Sequence, residues 1–495
     1  MPAFYCILGA VGRALVALWI TLVACSGGDH GSTLAHIKQR GEITWGADVQ
    51  GGEPYLYEDP ANPSHLIGFE VDIMDALARR LGVKARMVQY NWSNLVPSLE
   101  RGDFDIAMNG LEATKDRADR ILLSEPYFTY AETLAIRKGA PYKSLADLKG
   151  KRVGTLNQTY AHDLLRAGGF EPVLYEGNEE PYLDLEQGRL DAVLLDNIIA
   201  DRYGCPRKGI ECLPTEVARG TYVIGIRKND PDLKRAIDAA LDAMRADGEL
   251  QRILEKAHLW DHRQLEAPPA IADVTRARVV DASMVWQFVS AALVTLKLSV
   301  LAFLLAVPIG LLLAVARVFG GRLWGGLARV YIELFRGTPV LLQLFVLYYG
   351  LAPYYSLAPV TAAVLGLGLN YGAYEAEVYR GALLAIPRGQ TEAAKALGMG
   401  PTQILQHVLL PQALRLALPP MTNDFVSLLK DSSLVSVITV IELTKRMTIA
   451  AVDLRGWLVP GLLCAGLYLA LSFPLSELAR RLERRLARDQ RPQAL

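Results

Sequence analysis

Residues 263–283 read "RQLEAPPAIADVTRARVVDAS", and the chain changes character across them. The stretch holds paired prolines, small residues and no sustained apolar period, which is the composition of a linker between domains. Before it, from about residue 29, charges and turn residues crowd together; after Trp286, apolar runs dominate up to the basic tail "RRLERRLARDQR". The split accounts for a composition that suits neither part alone. With 51% hydrophobic and 21% charged residues over 495 positions, the chain is too apolar for one soluble enzyme and too charged for a bundle of membrane helices. Lys plus Arg total 52, and so do Asp plus Glu, so the net charge gives no support to a nucleic-acid or polybasic function.

The first 25 residues are a third kind of segment. A lone Arg13 precedes the apolar run "ALVALWITLVA", and Cys25 follows a small residue, the layout of a secretory signal. "LVAC" resembles the bacterial lipobox, in which the signal is cut before the cysteine and its thiol takes a diacylglycerol. The plainer alternative is an uncleaved signal anchor with a chance cysteine at Cys25. Either one exports the segment C-terminal to it. In an oxidising compartment Cys205 and Cys212, seven apart in "DRYGCPRKGIEC", are candidates for a loop-stapling disulfide, with two unpaired thiols as the alternative. No metal site is expected, because no matching pair of Cys or His stands nearby.

Between signal and linker, short β-like runs alternate with helical ones. "GEITWGAD" (41–48), "GFEVDIMDALARRLG" (68–82), "ARMVQY" (85–90), "LVPSLERG" (95–102) and "FDIAMNG" (104–110) read strand, helix, strand, helix, strand. That is an α/β pattern with a mostly parallel sheet. It resumes after "SLADLKGKRVGTL" (144–156) through "HDLLRAGG", "PVLYEG" and "YLDLEQGRLDAVLLD", so a second α/β lobe follows the first. "ETLAIRKG" (132–139) and "TYVIGIRKND" (221–230) are the expected crossings between lobes. Two lobes with two crossings make a hinged clamp.

The order and spacing of "GFEVDIMDALARRLG", "LVPSLERGDFDIAMNGLEATKDRAD", "SEPYF", "SLADLKGKRVGTL", "GRLDAVLLD" and "AMRADGEL" resemble the periplasmic solute-binding proteins for polar amino acids. The resemblance implies that Arg117, a few residues past the turn at Asn109 and Gly110, clamps the ligand α-carboxylate with a bidentate fork. It implies further that Thr159 helps to hold that carboxylate, that Asp196 at the end of "DAVLLD" receives the α-ammonium, that Asp48 touches the ligand side chain and that Trp92 stacks on it. Each has a plainer reading: an exposed helix-start arginine for Arg117, an N-cap for Asp196, a turn for Asp48, a half-buried core aromatic for Trp92. The chain departs from the family at Glu112, where a hydroxyl residue is usual, at Tyr160, and in "GGEPYLY", which lacks an aromatic two residues before its proline. Glu112 either takes a hydrogen bond from the ammonium, favours a cationic side chain, or salt-bridges Lys115 or Arg117 and does nothing for specificity. A polar or basic amino acid is the expected ligand.

Beyond the linker lie five apolar segments, each about long enough to cross a bilayer: near 287–316, 332–354, 357–384, 421–444 and 457–479. With the clamp outside, the first delivers Arg317, Arg322 and Arg329 to the cytoplasm and the fifth delivers Arg480, Arg481, Arg484 and Arg485 there, in line with the positive-inside tendency. The third contains Glu375, Glu377 and Arg380; Glu377 and Arg380 at i, i+3 suit a local ion pair. Asn370, Tyr374 and Glu375 are candidates to line a substrate path, because ionisable groups at membrane depth are costly unless paired or facing a cavity.

The same topology puts "EAAKALGMGPTQILQHVLLP" (392–411) on the cytoplasmic face. Glu392, Ala393, Ala394, Gly398, Val408, Leu410 and Pro411 stand at the spacing of the signature loop of importers of the ATP-binding cassette class. "ELFRGTPVLLQLFVLYYG", "YGAYEAEVYRGALLAIPRGQ" and "FVSLLKDSSLVSVI" resemble the permeases of the amino-acid importers in particular. The resemblance implies a helical lever that inserts into a partner ATPase. No G-x-x-x-x-G-K-[ST] occurs in the chain, so ATP and Mg are expected on that separate subunit, with no cofactor on this one.

The expected architecture is therefore residues 1–25 as signal and lipobox, 33–263 as an α/β two-lobed amino-acid-binding clamp, 264–283 as linker, 284–485 as an all-α permease domain of five transmembrane helices, and 486–495 as a cytoplasmic tail. The expected function is capture and import of an amino acid across a bacterial inner membrane, with a second permease copy and a separate ATPase, and without enzymatic activity in this chain. Rival readings are a ligand-gated channel and a ligand sensor built on the same clamp. In glutamate-receptor channels the pore interrupts the clamp, whereas here both lobes finish before the first span.

Overall fold

The computed structural model describes residues 32–271, 280–352, 354–355, 357–454 and 456–489. The expected signal, Cys25 and the end of the tail lie outside the described residues. The chain runs α1 (Thr33–Arg40), β1 (Glu42–Ala47), β2 (Tyr57–Asp59), β3 (Asn62–Ile67), α2 (Phe69–Leu81), β4 (Lys84–Gln89), α3 (Leu95–Arg101), β5 (Ile106–Ala107), α4 (Lys115–Arg120) and β6 (Leu122–Leu123). There follow β7 (Phe128–Arg137), β8 (Val153–Leu156), α5 (Tyr160–Ala167), β9 (Val173–Tyr175), α6 (Glu180–Glu186), β10 (Ala192–Asp196), β11 (Ile210–Cys212), β12 (Ala218–Tyr222), β13 (Gly225–Ile226), α7 (Pro231–Ala246) and α8 (Glu249–Lys256). The helical part holds α9 (Ala282–Phe319), α10 (Gly321–Gly337), α11 (Val340–Phe345), α12 (Pro359–Ala385), α13 (Arg388–Ala396), α14 (Leu410–Asp431), α15 (Leu443–Asp453) and α16 (Leu458–Asp489).

These elements fall into two compact units. Among the described residues, one runs to Thr129 and resumes from Gly220 to Ile271; the other holds Tyr130–Arg219 and the residues from Val280 onward. The first unit is built on a sheet of order β4-β1-β5-β13-β6. β1 pairs in parallel with β4 and β5, and β13 is antiparallel to β5 and β6. β1 is buried along nearly its whole length, as expected of a central strand covered on both faces. α2 begins at Gly68, where a Cβ would stand 2.1 Å from the Tyr55 carbonyl oxygen, and ends at the left-handed Gly82. Its Phe69, Ile73, Met74 and Leu77 are buried at the three-to-four spacing of one helix face.

In the second unit the sheet order is β11-β7-β10-β8-β9, with β12 on β7. β8 is parallel to β9 and β10, while β7 is antiparallel to β10 and β11. The chain passes between units within β7, after Thr129, and within β12, after Arg219. The expected crossings at 132–139 and 221–230 therefore begin just past the observed ones. The reason is that β7 is a ten-residue strand, buried from Phe128 onward, so the strand already includes the FTYA that precedes "ETLAIRKG".

The helical part packs through small residues. Along α9, Ala302, Ala306, Gly310 and Ala314 recur every fourth residue and are buried. Facing them on α12, a Cβ on Gly368 would meet Leu305 at 2.7 Å and one on Gly372 would meet Ile309 at 2.8 Å. Such stripes let helix backbones approach where lipid supplies no hydrophobic drive between helices. Among the described residues, Ala282–Phe319 and Leu458–Arg481 are long and apolar enough to cross a membrane, and a third crossing arises if Gly321–Gly337 and Val340–Gly350, bent by 102°, count as one. The fourth expected segment, 421–444, is displaced: α14 spans Leu410–Asp431, and a tight helical turn over Ser432–Ile438 leads to Thr439 at φ 65°. Glu442 then accepts the Thr444 and Lys445 N–H groups at 2.8 and 2.7 Å and starts α15 as a separate helix.

Candidate functional site

In each unit the singled-out residues gather at the carboxyl ends of parallel strands, the edge at which open α/β sheets bind ligands. In the first unit, Asp48 follows β1, Trp92 follows β4 and Asn109 follows β5. The Asp48 carboxylate accepts from the Gln50 N–H at 3.0 Å, Gln89 Nε2 at 2.9 Å and the Trp92 N–H at 2.8 Å. The Asp48 N–H in turn donates to Asn109 Oδ1 at 2.9 Å. Asp48 and Asn109 thus tie three strand ends together, and the turn reading of Asp48 holds as far as these bonds go.

Arg117 lies in the first turn of α4, whose N-cap is Thr114. Its Nη1 donates to the Glu112 carbonyl at 2.7 Å and the Glu112 carboxylate at 3.1 Å, and its guanidinium carbon is 5.2 Å from the Trp92 ring centroid. Both ionic side chains are buried, at 9% and 3% exposure. Of the alternatives open for Glu112, the ion pair with Arg117 is present. In a buried pair of this kind each partner offsets part of the other's desolvation, while the Trp92 face attracts the guanidinium electrostatically. The exposed helix-start reading of Arg117 is therefore wrong: its head is enclosed by Trp92 and Glu112.

Gly110 sits at φ 59°, and its N–H donates to Glu70 Oε1 at 2.6 Å. A Cβ there would meet Tyr55 Cε1 at 2.9 Å, so the position combines a left-handed backbone with a close approach. Burial pushes the Glu70 carboxyl up from 4.5 to about 7, against the opposing bonds from the Tyr127 hydroxyl and the Gly110 N–H. Sequence reasoning missed Glu70, Gln89 and Tyr222, whose hydroxyl lies 2.8 Å from that of Tyr55. The one available signal was a carboxylate in the first turn of a helix whose neighbours are apolar.

In the second unit, Thr159 caps α5, accepting from the His162 N–H at 3.2 Å and donating to the Leu156 carbonyl at 2.9 Å. Asp196 ends β10 and caps the next turn, accepting from the Ile199 N–H at 2.9 Å. β8 and β10 are neighbours in parallel, so Thr159 and Asp196 share one sheet edge. Both are buried, at 6% exposure. Cys205 and Cys212 are joined by a disulfide.

In the helical part, Asn370 Nδ2 donates to the Phe335 carbonyl at 2.9 Å and to Gln343 Oε1 at 3.1 Å, fastening α12 across the bend between α10 and α11. Tyr374 is partly exposed under the Arg336 guanidinium, 5.3 Å from the ring centroid. Glu375 is fully buried where Gly310 admits α9. Glu377 pairs with Arg380 at 2.7 Å and also with Arg317, so the expected local pair is present and reaches α9. The 392–411 stretch forms α13, which ends before Gly398 at φ 78°. Leu397 beside it is 83% exposed, whereas Ala394, Ile404, Leu409 and Ala413 join Tyr379 and Leu383 in one apolar cluster. One face of the stretch packs on the helices, and Leu397 at its turn is exposed.

Comparison with known proteins accounts for both parts. Residues 43–259 match the bacterial extracellular solute-binding proteins, family 3, and residues 306–488 match the binding-protein-dependent transport system inner membrane component. The L-cystine transport system permease protein TcyB of Bacillus subtilis is 40% identical over 197 residues, 39% of this chain and 84% of its own. The glutamine transport system permease protein GlnP of Escherichia coli K12 is 40% identical over 214 residues, 42% of this chain and 97% of its own. Among solved structures, the ancestral amino acid-binding protein AncCDT-1 shares 28% identity over 46% of this chain and 99% of its own, with a TM-score of 0.42. The chain belongs to the binding-protein-dependent inner membrane permeases, as an amino-acid permease of the ATP-binding cassette class that carries a family 3 solute-binding domain on the same polypeptide.

Proposed function

We propose that the chain captures a polar or basic amino acid outside a bacterial inner membrane and passes it inward through five spans, driven by a separate ATPase that holds ATP and Mg. In this reading Arg117 takes the ligand α-carboxylate, Asp196 the α-ammonium, and Trp92 and Asp48 border the side chain, with Thr159, Asn109 and Gly110 shaping the rim. The observation that carries it is the enclosed Arg117 head, held by Glu112 and Trp92 at the carboxyl edge of its sheet. A guanidinium fixed in this way has little rotamer entropy left to lose when it meets a carboxylate. The cystine and glutamine named for two relatives support a polar side chain; a cationic one rests on the Glu112 carboxylate, which the Arg117 guanidinium already engages.

In the membrane part, Glu392, Ala393, Ala394, Gly398, Leu410 and Pro411 form the contact with the ATPase, and a second copy completes the pore. A clamp fused to its pore works at an effective concentration of about a millimolar without a new contact. The test is uptake of labelled glutamine, cystine and arginine by proteoliposomes holding the chain and its ATPase. Uptake of any one that requires ATP and is lost in Arg117→Ala supports the reading; ligand-gated ion current without amino-acid uptake would favour the channel instead.

A further inference from the structure

Asp184, on α6 of the second lobe, is buried together with Tyr348, which follows α11 in the helical part. Its carboxylate accepts from Arg189 Nη1 at 2.8 Å, the Tyr175 hydroxyl at 2.6 Å and the Tyr348 hydroxyl at 2.7 Å. Arg189 answers across the same contact: its guanidinium carbon is 4.0 Å from the Tyr348 ring centroid, and its Nη2 donates to the Tyr348 carbonyl at 3.3 Å. A second bridge joins Lys445 Nζ of α15 to Glu176 of the lobe at 3.2 Å, with the lysine head buried. These contacts lie within one compact unit, the one that holds the second lobe and the membrane helices.

We propose that these residues are the seat by which the clamp's second lobe docks on this chain's own permease. The inference rests on the proposed import function for its purpose, but the seat is a physical contact that can be read without transport. A carboxylate and a guanidinium that are both desolvated gain from every partner they find; Tyr348 supplies one hydroxyl, one carbonyl and one aromatic face to the pair, while Arg189 Nε has no hydrogen bond among the described residues. An accidental touch between lobe and helices would not meet the pair at three points. Arg189 over Tyr348 also gives the attraction of a cation for a ring face, which strengthens once water is excluded. Tethering through the linker makes docking on the same chain the favoured arrangement.

The test is cross-linking of the full chain in nanodiscs. Glu176→Cys and Lys445→Cys are introduced together, a protease site is placed in the 264–283 linker, and a short bismaleimide is added. The expected result is that the two halves stay joined after cleavage in the double variant and separate in either single variant, and that adding Tyr348→Phe lowers the joined fraction several-fold. Amino-acid binding is measured on the same samples and is expected to stay within about twofold, since no ligand-site residue has changed. Separation of the halves with ligand binding intact overturns the seat, as does cross-linking that joins only two different chains. Joined halves without amino-acid binding or uptake keep the seat and sink the proposed function, so the two failures are distinct.

Discussion

Arg117 and Glu112 form a buried ion pair in which one guanidinium nitrogen, Nη1, serves both the carbonyl and the carboxylate of the same residue, at 2.7 and 3.1 Å. That double hold keeps the guanidinium plane fixed beside Trp92. Replacing Arg117 by Ala removes the proposed ligand fork and takes the cationic partner from the buried Glu112. Truncating one member of such a pair costs about 2–5 kcal/mol. Amino-acid affinity measured by calorimetry on the full chain is expected to fall by at least a hundredfold. Adding Glu112→Gln should restore melting temperature without restoring affinity.

Glu112→Gln alone separates charge from shape. The amide keeps an oxygen for Arg117 but removes a negative charge from the site, so preference for a cationic over a neutral amino acid should drop by about tenfold, or ~1.4 kcal/mol. Competition binding of arginine against glutamine measures it; an unchanged ratio would leave Glu112 a purely structural partner.

Glu70 gives the first lobe a pH dependence. Its folded value, raised by burial to about 7 from 4.5, means the native state keeps a proton the unfolded chain has lost. Its contribution to stability is present in full below pH 4.5 and is lost as pH rises through about 7. Both observed bonds, from the Gly110 N–H and the Tyr127 hydroxyl, reach the same Oε1, so Gln can keep them. Glu70→Gln should therefore flatten the fall in melting temperature between pH 4.5 and pH 8, by on the order of 3 kcal/mol. Parallel melting curves for the two proteins would contradict this.

Gly310→Leu tests the small-residue stripe. A Cβ there would stand 2.6 Å from that of Glu375, so α9 and α12 must separate. Overpacking of this kind costs about 1–3 kcal/mol, readable as a lower melting temperature in detergent, with amino-acid binding unaffected.

Gly398→Val places a β-branched residue at φ 78°, a conformation that costs it about 1–2 kcal/mol. With Glu392→Lys it should abolish uptake in proteoliposomes and leave ligand affinity unchanged. Normal uptake in both variants would remove the loop from ATPase coupling.

The α/β strands and helices of the clamp were legible because apolar period and turn residues agree there: Gly68 and Gly82 bracket α2, and the buried strand β1 stands where "GEITWGAD" placed it. The membrane part was less legible. A run of apolar residues reports burial or lipid contact without reporting where a helix bends. The break at α10 and α11 is held locally by Gln343 on Phe335 and Thr338, and across the chain by Asn370, which donates to the Phe335 carbonyl from α12. The start of α15 is set by Glu442 acting as a cap, a local signal inside an apolar run. In the candidate site, Arg117 and Asp48 were singled out only through the resemblance to the solute-binding proteins, whereas Gln89 and Glu70 act through contacts between separate elements. Nothing in the local sequence singles out Asp184 and Arg189, and only the fold brings Tyr348 to them.

Whether one polypeptide holds both the amino-acid clamp and its pore is decided by calorimetric titration of the full chain in nanodiscs with the twenty amino acids, repeated with Arg117→Ala. A fused importer should bind a polar or basic amino acid saturably at a single site per chain, lose that binding in Arg117→Ala and keep it in Gly398→Val. Binding that ignores Arg117, or the absence of binding to any amino acid, would contradict the fused-importer reading.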